Sequence, residues 1–135
     1  MQAMSLPQWV MLAGLALAAP EAAAQARQRD VLPREEILAP GQKDRDLFQI
    51  VRSLRPHFLS RPRGVRSMVN GPPAPVQLYV NDARQPSLDI LKLIKPEEVE
   101  EIRYLEPSRA QDQYGITHSG GAILVKLRGA ANTPL

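Results

Sequence analysis

Two histidines, a run of glutamates, a serine before paired glycines and a series of arginines are the side chains in this sequence that could do chemistry. His57 and His118 are far apart in the chain, and neither stands beside a metal-ligand motif. His118 falls in Tyr114-Gly115-Ile116-Thr117-His118-Ser119-Gly120-Gly121, on a turn, where it could be a ligand or a base; a surface or turn-stabilising role is expected instead. Glu97, Glu98, Glu100 and Glu101 could work as an acid–base pair or hold calcium. They lack the Asp/Asn alternation and the glycine of a calcium loop, so a solvated cluster at a helix start is the expectation. Ser119 before Gly120-Gly121 fails the nucleophile-elbow pattern because Thr117 is not glycine. No P-loop lysine follows those glycines either. Cysteine is absent, which removes disulfides, a thiolate nucleophile, Cys-based zinc sites and a lipobox. No enzyme, no cofactor and no metal are expected.

The arginines are the one surface feature above background. Arg52, Arg55, Arg61, Arg63 and Arg66 fall within fifteen residues, with His57 and Phe58 among them and only Asp44 and Asp46 nearby to neutralise them. Guanidinium groups at this density could grip phosphate or carboxylate bidentately, as on lipopolysaccharide or an acidic partner protein. The plainer alternative is a solvated polar face around an apolar stripe.

These side chains must be positioned by a small fold. The chain has 135 residues, enough for one small domain, and its 4% aromatic content makes the core aliphatic. Thirteen prolines impose many short elements. A multidomain enzyme, a long coiled coil and a polytopic membrane protein are excluded. Residues 1–26 read as a secretory signal peptide. The apolar run Trp9–Ala19 is too short for a stable anchor, Pro20 breaks it, and Ala22-Ala23-Ala24-Gln25-Ala26 offers the small residues a signal peptidase reads. The alternative is an anchoring helix or an N-terminal arm. Cleavage after Ala26 leaves 109 residues with 17 basic and 13 acidic side chains, about +4, and no transmembrane span. Export argues against nucleic acid as the partner despite the basic balance.

Residues 27–43 form an N-terminal segment with a short strand at Val31-Leu32 and a helical turn opened by Pro33 and ended by Pro40-Gly41. The clearest helix carries Leu47, Ile50, Val51, Leu54 and Phe58 on one stripe, with Asp44 as N-cap and Pro56 as stop. A strand at 65–69 precedes the loop Asn70–Pro75. Val76–Val80 alternates as a strand, and Asn81-Asp82-Ala83-Arg84 closes it as a turn. Ser87 caps a short helix with Leu88, Leu91 and Ile94; Pro96 opens another turn, and Val99–Leu105 runs into a strand over Ile102–Leu105. Ser108 caps a helical turn ending at Tyr114-Gly115. Ala122–Leu127, apolar on both faces at its start, is placed centrally in the sheet. Residues 129–135 read as a disordered tail.

Several of these segments resemble the plug domain of TonB-dependent outer-membrane receptors. Val76-Gln77-Leu78-Tyr79-Val80-Asn81-Asp82 is similar to that family's strand ending in a Val-Asp-Gly turn. Ile94-Lys95-Pro96-Glu97-Glu98-Val99-Glu100-Glu101-Ile102-Arg103-Tyr104-Leu105, then Tyr114-Gly115, then Gly121-Ala122-Ile123-Leu124-Val125 follow in the family's order and spacing. The resemblance covers most of residues 30–128, strongly from 76. Ala83 stands where the family's turn glycine usually sits, and Pro107 where a glycine usually follows the strand, so altered turns are expected at both. A plug normally sits in a barrel that continues the same chain; with none after residue 135, transport by this chain alone is not expected.

The expectation is an exported α+β domain over 44–128, a plug-like mixed sheet of three to four strands with short helices packed on it. Its core is Leu47, Ile50, Val51, Leu54, Leu78, Val80, Leu91, Ile94, Val99, Ile102, Leu105, Ile123 and Val125. The resemblance implies a non-enzymatic module of a Gram-negative cell envelope, periplasmic or associated with the outer membrane, whose partner is an outer-membrane β-barrel or another envelope protein. The alternative is a binder of anionic glycan, lipid or small solute through Arg52, Arg55, Arg61, Arg63 and Arg66. A small enzyme would need a pocket joining His118 to the 97–101 carboxylates.

Overall fold

The computed structural model describes Gln25, residues 28–60 and residues 74–129. The expected strand at 65–69, the arginines Arg61, Arg63 and Arg66, nearly all of the signal segment and most of the tail lie outside the described residues.

Among the described residues, five strands form one mixed sheet: β1 (Val31–Pro33), β2 (Gln77–Val80), β3 (Ala83–Gln85), β4 (Val99–Leu105) and β5 (Ala122–Leu127), in the order β1-β4-β5-β2-β3. Only β2 and β5 run parallel; the other pairs are antiparallel. The fold is α+β, and β5 is central, as its apolar first half requires: Ile123 lies between Leu78 of β2 and Tyr104 of β4. Among the described residues no helix is long and apolar enough to cross a membrane.

The sheet has more strands than expected because of one turn. Asn81 and Asp82 both take left-handed backbone, φ 47° and 66°, which makes a two-residue hairpin whose twist matches that of the strands. Asn and Asp tolerate this region better than other non-glycine residues. Ala83 and Arg84 therefore leave the turn and begin β3, with Tyr79 opposite Arg84. Asn81 also fastens the neighbouring strand: its Oδ1 accepts from the Leu127 N–H at 2.9 Å.

Among the described residues, three α-helices follow β1: α1 (Arg34–Ile37), α2 (Leu47–Leu54) and α3 (Pro107–Tyr114). Pro33 ends β1 and precedes α1 rather than opening it. The N-cap of α2 is Asp46, not Asp44; its carboxylate accepts from the Gln49 N–H at 2.8 Å, the N3 position that a capping side chain reaches. Pro56 stops α2, and Arg55 sits outside the helical region at φ −140°. Phe58 then returns to the core through a 3-10 turn and stacks on Tyr104, ring centroids 5.3 Å apart. Ser87 does cap its turn, accepting from the Asp89 N–H at 3.1 Å. Ser108 does not cap α3; Pro107 takes N1 after Glu106, where its missing N–H costs nothing.

The main core lies between one sheet face and the layer holding α1, α2 and the turn Leu88–Lys92. Leu32, Ile37, Leu47, Ile50, Val51, Phe58, Leu91, Val99, Ile102 and Ile123 are fully buried there, each contributing about 1.5–3 kcal/mol. Leu54, Val80 and Ile94, expected in the core, are only partly buried against it. Leu105 belongs instead to a second cluster on the opposite face, with Tyr79, Ala110 and Ala122. Leu32, Ile37 and Phe58 complete a core that stripe and alternation patterns only partly outline.

Candidate functional site

The arginine series divides in the structure. Arg52 is exposed on α2. Arg55, immediately after the helix end, is half-buried and already engaged: its Nη2 meets Glu36 of α1 at 2.9 Å and donates to the Val31 carbonyl of β1, while Nη1 donates to the Leu54 carbonyl. Its Nε is buried, with no hydrogen-bond partner among the described residues. Such a guanidinium ties the N-terminal segment to α2 and offers little to an anion from outside. Arg34 does parallel work from the start of α1, donating to the carbonyls of Glu97 and Val99 at 2.9 and 2.7 Å. Two arginines thus hold β1 and α1 onto the fold.

The glutamates splay rather than converge. Glu97 and Glu98 start a 3-10 turn and Glu100 lies exposed on β4, while Glu101 pairs with Arg103 at 2.8 Å. Solvation of this cluster is what the structure shows for Glu97, Glu98 and Glu100. None of the four is a hydrogen-bond partner of His118. Along β5, Glu101 is opposite Lys126, and the His118 cluster lies at the Ala122 end, about 13 Å away at strand rise. Among the described residues, no three His, Asp or Glu side chains converge as metal ligands.

His57 is half-exposed beside Asp30, Nε2 to Oδ1 3.6 Å, and its ring meets Tyr104 edge-on at 5.8 Å. Burial pushes the Tyr104 hydroxyl above the usual phenol range, and the carboxylates of Asp30 and Glu106 add to the rise. This corner holds a histidine–carboxylate contact beside an aromatic ring.

The second sheet face carries the most organised polar group. His118 is on a turn as expected but is only 4% exposed. Its Nε2 lies 2.7 Å from the Tyr79 hydroxyl, and its Nδ1 faces the Gly115 carbonyl at 3.3 Å and Thr117 Oγ1 at 3.1 Å. Tyr114, the last residue of α3, stacks on Tyr79 with centroids 4.6 Å apart and packs against the His118 ring at 5.3 Å. Burial raises the Tyr114 hydroxyl, followed by the charge of Asp82 and the neighbouring Tyr79.

Glycines make this closure possible. Gly115 turns the chain at φ 99°, ψ 172°, a region essentially reserved for glycine. Gly121, at φ 85°, passes so close to β4 that a Cβ there would press on the Leu105 carbonyl and the Tyr104 ring. A Cβ on Gly120 would collide with the Ala74 and Pro75 backbone.

Sequence reasoning found Tyr114, Gly115 and His118 but missed Tyr79 as their partner. The signal for it was an aromatic at the outward position of the alternating strand 76–80, where an uncovered face would carry a polar residue. Chemically the cluster is closed: the imidazole is bonded at both nitrogens and covered by two phenol rings. In comparisons with known proteins, the chain matched no family model, no curated protein and no solved structure.

Proposed function

We propose that the chain is an exported, non-enzymatic plug-like module that binds a partner in the cell envelope, in line with its resemblance to the plug domain of TonB-dependent receptors. One observation carries this reading. The segments that bear the resemblance, 76–82, 94–105 and 121–125, supply β2, β4 and β5, which are adjacent in one sheet. The marks between them act at its joins: Tyr114 stacks on β2, Gly115 ends α3, and Gly121 packs against β4. A pattern of short motifs that assembles into one folded unit supports a shared architecture better than scattered motifs would. Its partner is an outer-membrane β-barrel or another envelope protein, met in the periplasm or at the outer membrane.

The test is capture by the tagged full chain from solubilised outer membranes of a Gram-negative host, at low salt and at about 1 M salt, where the Debye length falls to about 3 Å. Capture of a β-barrel at both salts is the expected result. Capture of anionic lipid or glycan that disappears at high salt would replace this reading with the arginine-surface alternative. Nothing captured by a folded sample at either salt would reduce the resemblance to architecture alone.

A further inference from the structure

The two edges of the sheet are finished differently. On β1, the Tyr104 N–H donates to the Asp30 carbonyl at 2.8 Å, so Asp30 and Leu32 bond to β4 and the backbone groups of Val31 and Pro33 point outward. That edge is blunted: the Val31 carbonyl accepts from Arg55 at 3.4 Å, and Pro33 has no N–H.

The other edge is β3. The two-residue turn at Asn81-Asp82 makes Val80 and Ala83 the bonded pair that closes the hairpin, so Tyr79 and Arg84 are the next, non-bonded pair. The N–H and C=O of Arg84 therefore point away from β2, and among the described residues neither has a partner. The side chains leave this rung open. The Arg84 guanidinium folds inward over β2, its Nε and Nη2 donating to Gln77 Oε1 at 3.2 and 3.0 Å. Gln85 folds back and donates to the Ala83 carbonyl at 3.1 Å.

We propose that the β3 edge takes up an antiparallel extended strand of a partner protein, with a carboxylate side chain opposite Arg84. Such a strand exchanges both outward backbone bonds with Arg84 and sets its own residue directly across, at a Cα spacing of about 5.5 Å. The charge selects that residue. Arg84 is exposed and held by a neutral amide, and among the described residues no carboxylate pairs with it. A glutamate or aspartate across the rung supplies the missing anion. A second copy of this chain, joined in the same way, would set Arg84 opposite Arg84, and like charges there oppose pairing. Pro86 follows β3 at once and has no N–H, so the contact is short and depends on this rung. The proposal gives a contact chemistry to the partner-binding reading above and rests on it for the source of the strand.

The test is NMR of the 15N-labelled full chain titrated with a capped Thr/Val peptide carrying one central Glu. The amides of Ala83, Arg84 and Gln85 should shift while those of Val31 and Leu32 hold. A peptide with Lys in place of the Glu should bind at least about twofold more weakly, and the difference should vanish at about 1 M salt. Methylating the Glu nitrogen should cost about fivefold, the weight of one hydrogen bond. Arg84→Glu should reverse the preference between the two peptides. Arg84→Pro removes the outward N–H but no bond to β2, so the shifts at Ala83 and Gln85 should disappear; should that variant not fold, the N-methyl peptide asks the same question. Equal binding of the N-methyl peptide, no preference between Glu and Lys, or shifts centred away from β3 would overturn the proposal. So would an Arg84 N–H that exchanges slowly in the free chain, the mark of an edge covered by the chain itself, or Arg84 shifts on simple dilution, the mark of a second copy. Capture from outer membranes by Arg84→Pro equal to that by wild type would overturn the proposal and leave the partner-binding reading in place. Peptide binding at β3 with nothing captured would do the reverse.

Discussion

Gly121 is the position where one methyl group should cost most. Its backbone is left-handed at φ 85°, and a Cβ built there would lie 2.8 Å from the Leu105 carbonyl and 3.0 Å from the Tyr104 hydroxyl. Left-handed backbone costs a residue with a Cβ about 1–2 kcal/mol. The steric part adds to this, because the Leu105 carbonyl belongs to β4, whose Leu105 pairs with Ala122 next in the chain. It cannot retreat without breaking register, and overpacking of this kind costs about 1–3 kcal/mol. Gly121→Ala should therefore destabilise by about 2–5 kcal/mol. Gly115→Ala supplies the control: it also has positive φ, but a methyl group there would meet nothing within 4 Å, so only backbone strain of about 1–3 kcal/mol remains. Urea unfolding followed by far-UV circular dichroism measures both, with equal slopes required for the comparison. If the two variants lose the same stability, the close approach of Gly121 to β4 is not what selects glycine there.

Other perturbations test the remaining joints. Ile123→Asp should prevent folding, since a fully buried central position cannot hold an unpaired charge; a soluble variant with a normal melt would refute the placement of β5. Asp46→Ala should cost about 1 kcal/mol by loss of the α2 cap and Asp44→Ala close to nothing, read by thermal melts. Arg55→Ala should cost about 1–2 kcal/mol, discounted because Glu36 is 43% exposed and rehydrates; a double-mutant cycle with Glu36→Ala isolates the coupling. Alkali should also destabilise: Tyr104 and Tyr114 are raised in the fold, so their contribution is complete below the ordinary phenol value near 10 and is lost as pH climbs through the folded values. Tyr104→Phe should flatten that alkaline limb in pH-dependent urea melts, and an unchanged limb would refute the assignment.

What was legible in the sequence followed from periodicity. The stripe Leu47-Ile50-Val51 marked α2, the alternation at 76–80 marked β2, and the run Ala122–Val125 marked a central strand because both its faces are covered. The misses have local causes. The β3 strand was hidden because Asn81-Asp82 reverses the chain in two residues, whereas a four-residue turn consumes Ala83 and Arg84. Asp44 and Asp46 are equally good caps by type, and only the helix phase selects Asp46. Arg55 looked like part of a basic surface because its partner, Glu36, is 19 residues away and meets it only through the tertiary fold. His118 has no periodic context at all, so its burial under Tyr114 could be read only once β2 and α3 were placed.

The layout limits where a partner can bind. The main face is closed by α1, α2 and the turn Leu88–Lys92, and reaching it means unfolding the core. Among the described residues, the second face is covered only around Tyr79, Leu105 and Ala122, with Arg103 and Lys126 exposed elsewhere on the same side. Among the described residues, the two most exposed large apolar side chains, Leu93 and Ile116, flank opposite layers and form no joint patch. Arg34 and Arg55 are spent on holding β1 and α1 in place. Among the described residues, the sheet face open to a partner is therefore the second face, whose apolar strip of Tyr79, Leu105, Ala122 and Leu124 lies under α3 and the turn Ile116–His118. Binding that needs that strip must compete with the His118–Tyr79 bond, and Tyr79→Phe should then bind more tightly than wild type at neutral pH. Weaker binding by that variant would place the contact elsewhere on the molecule.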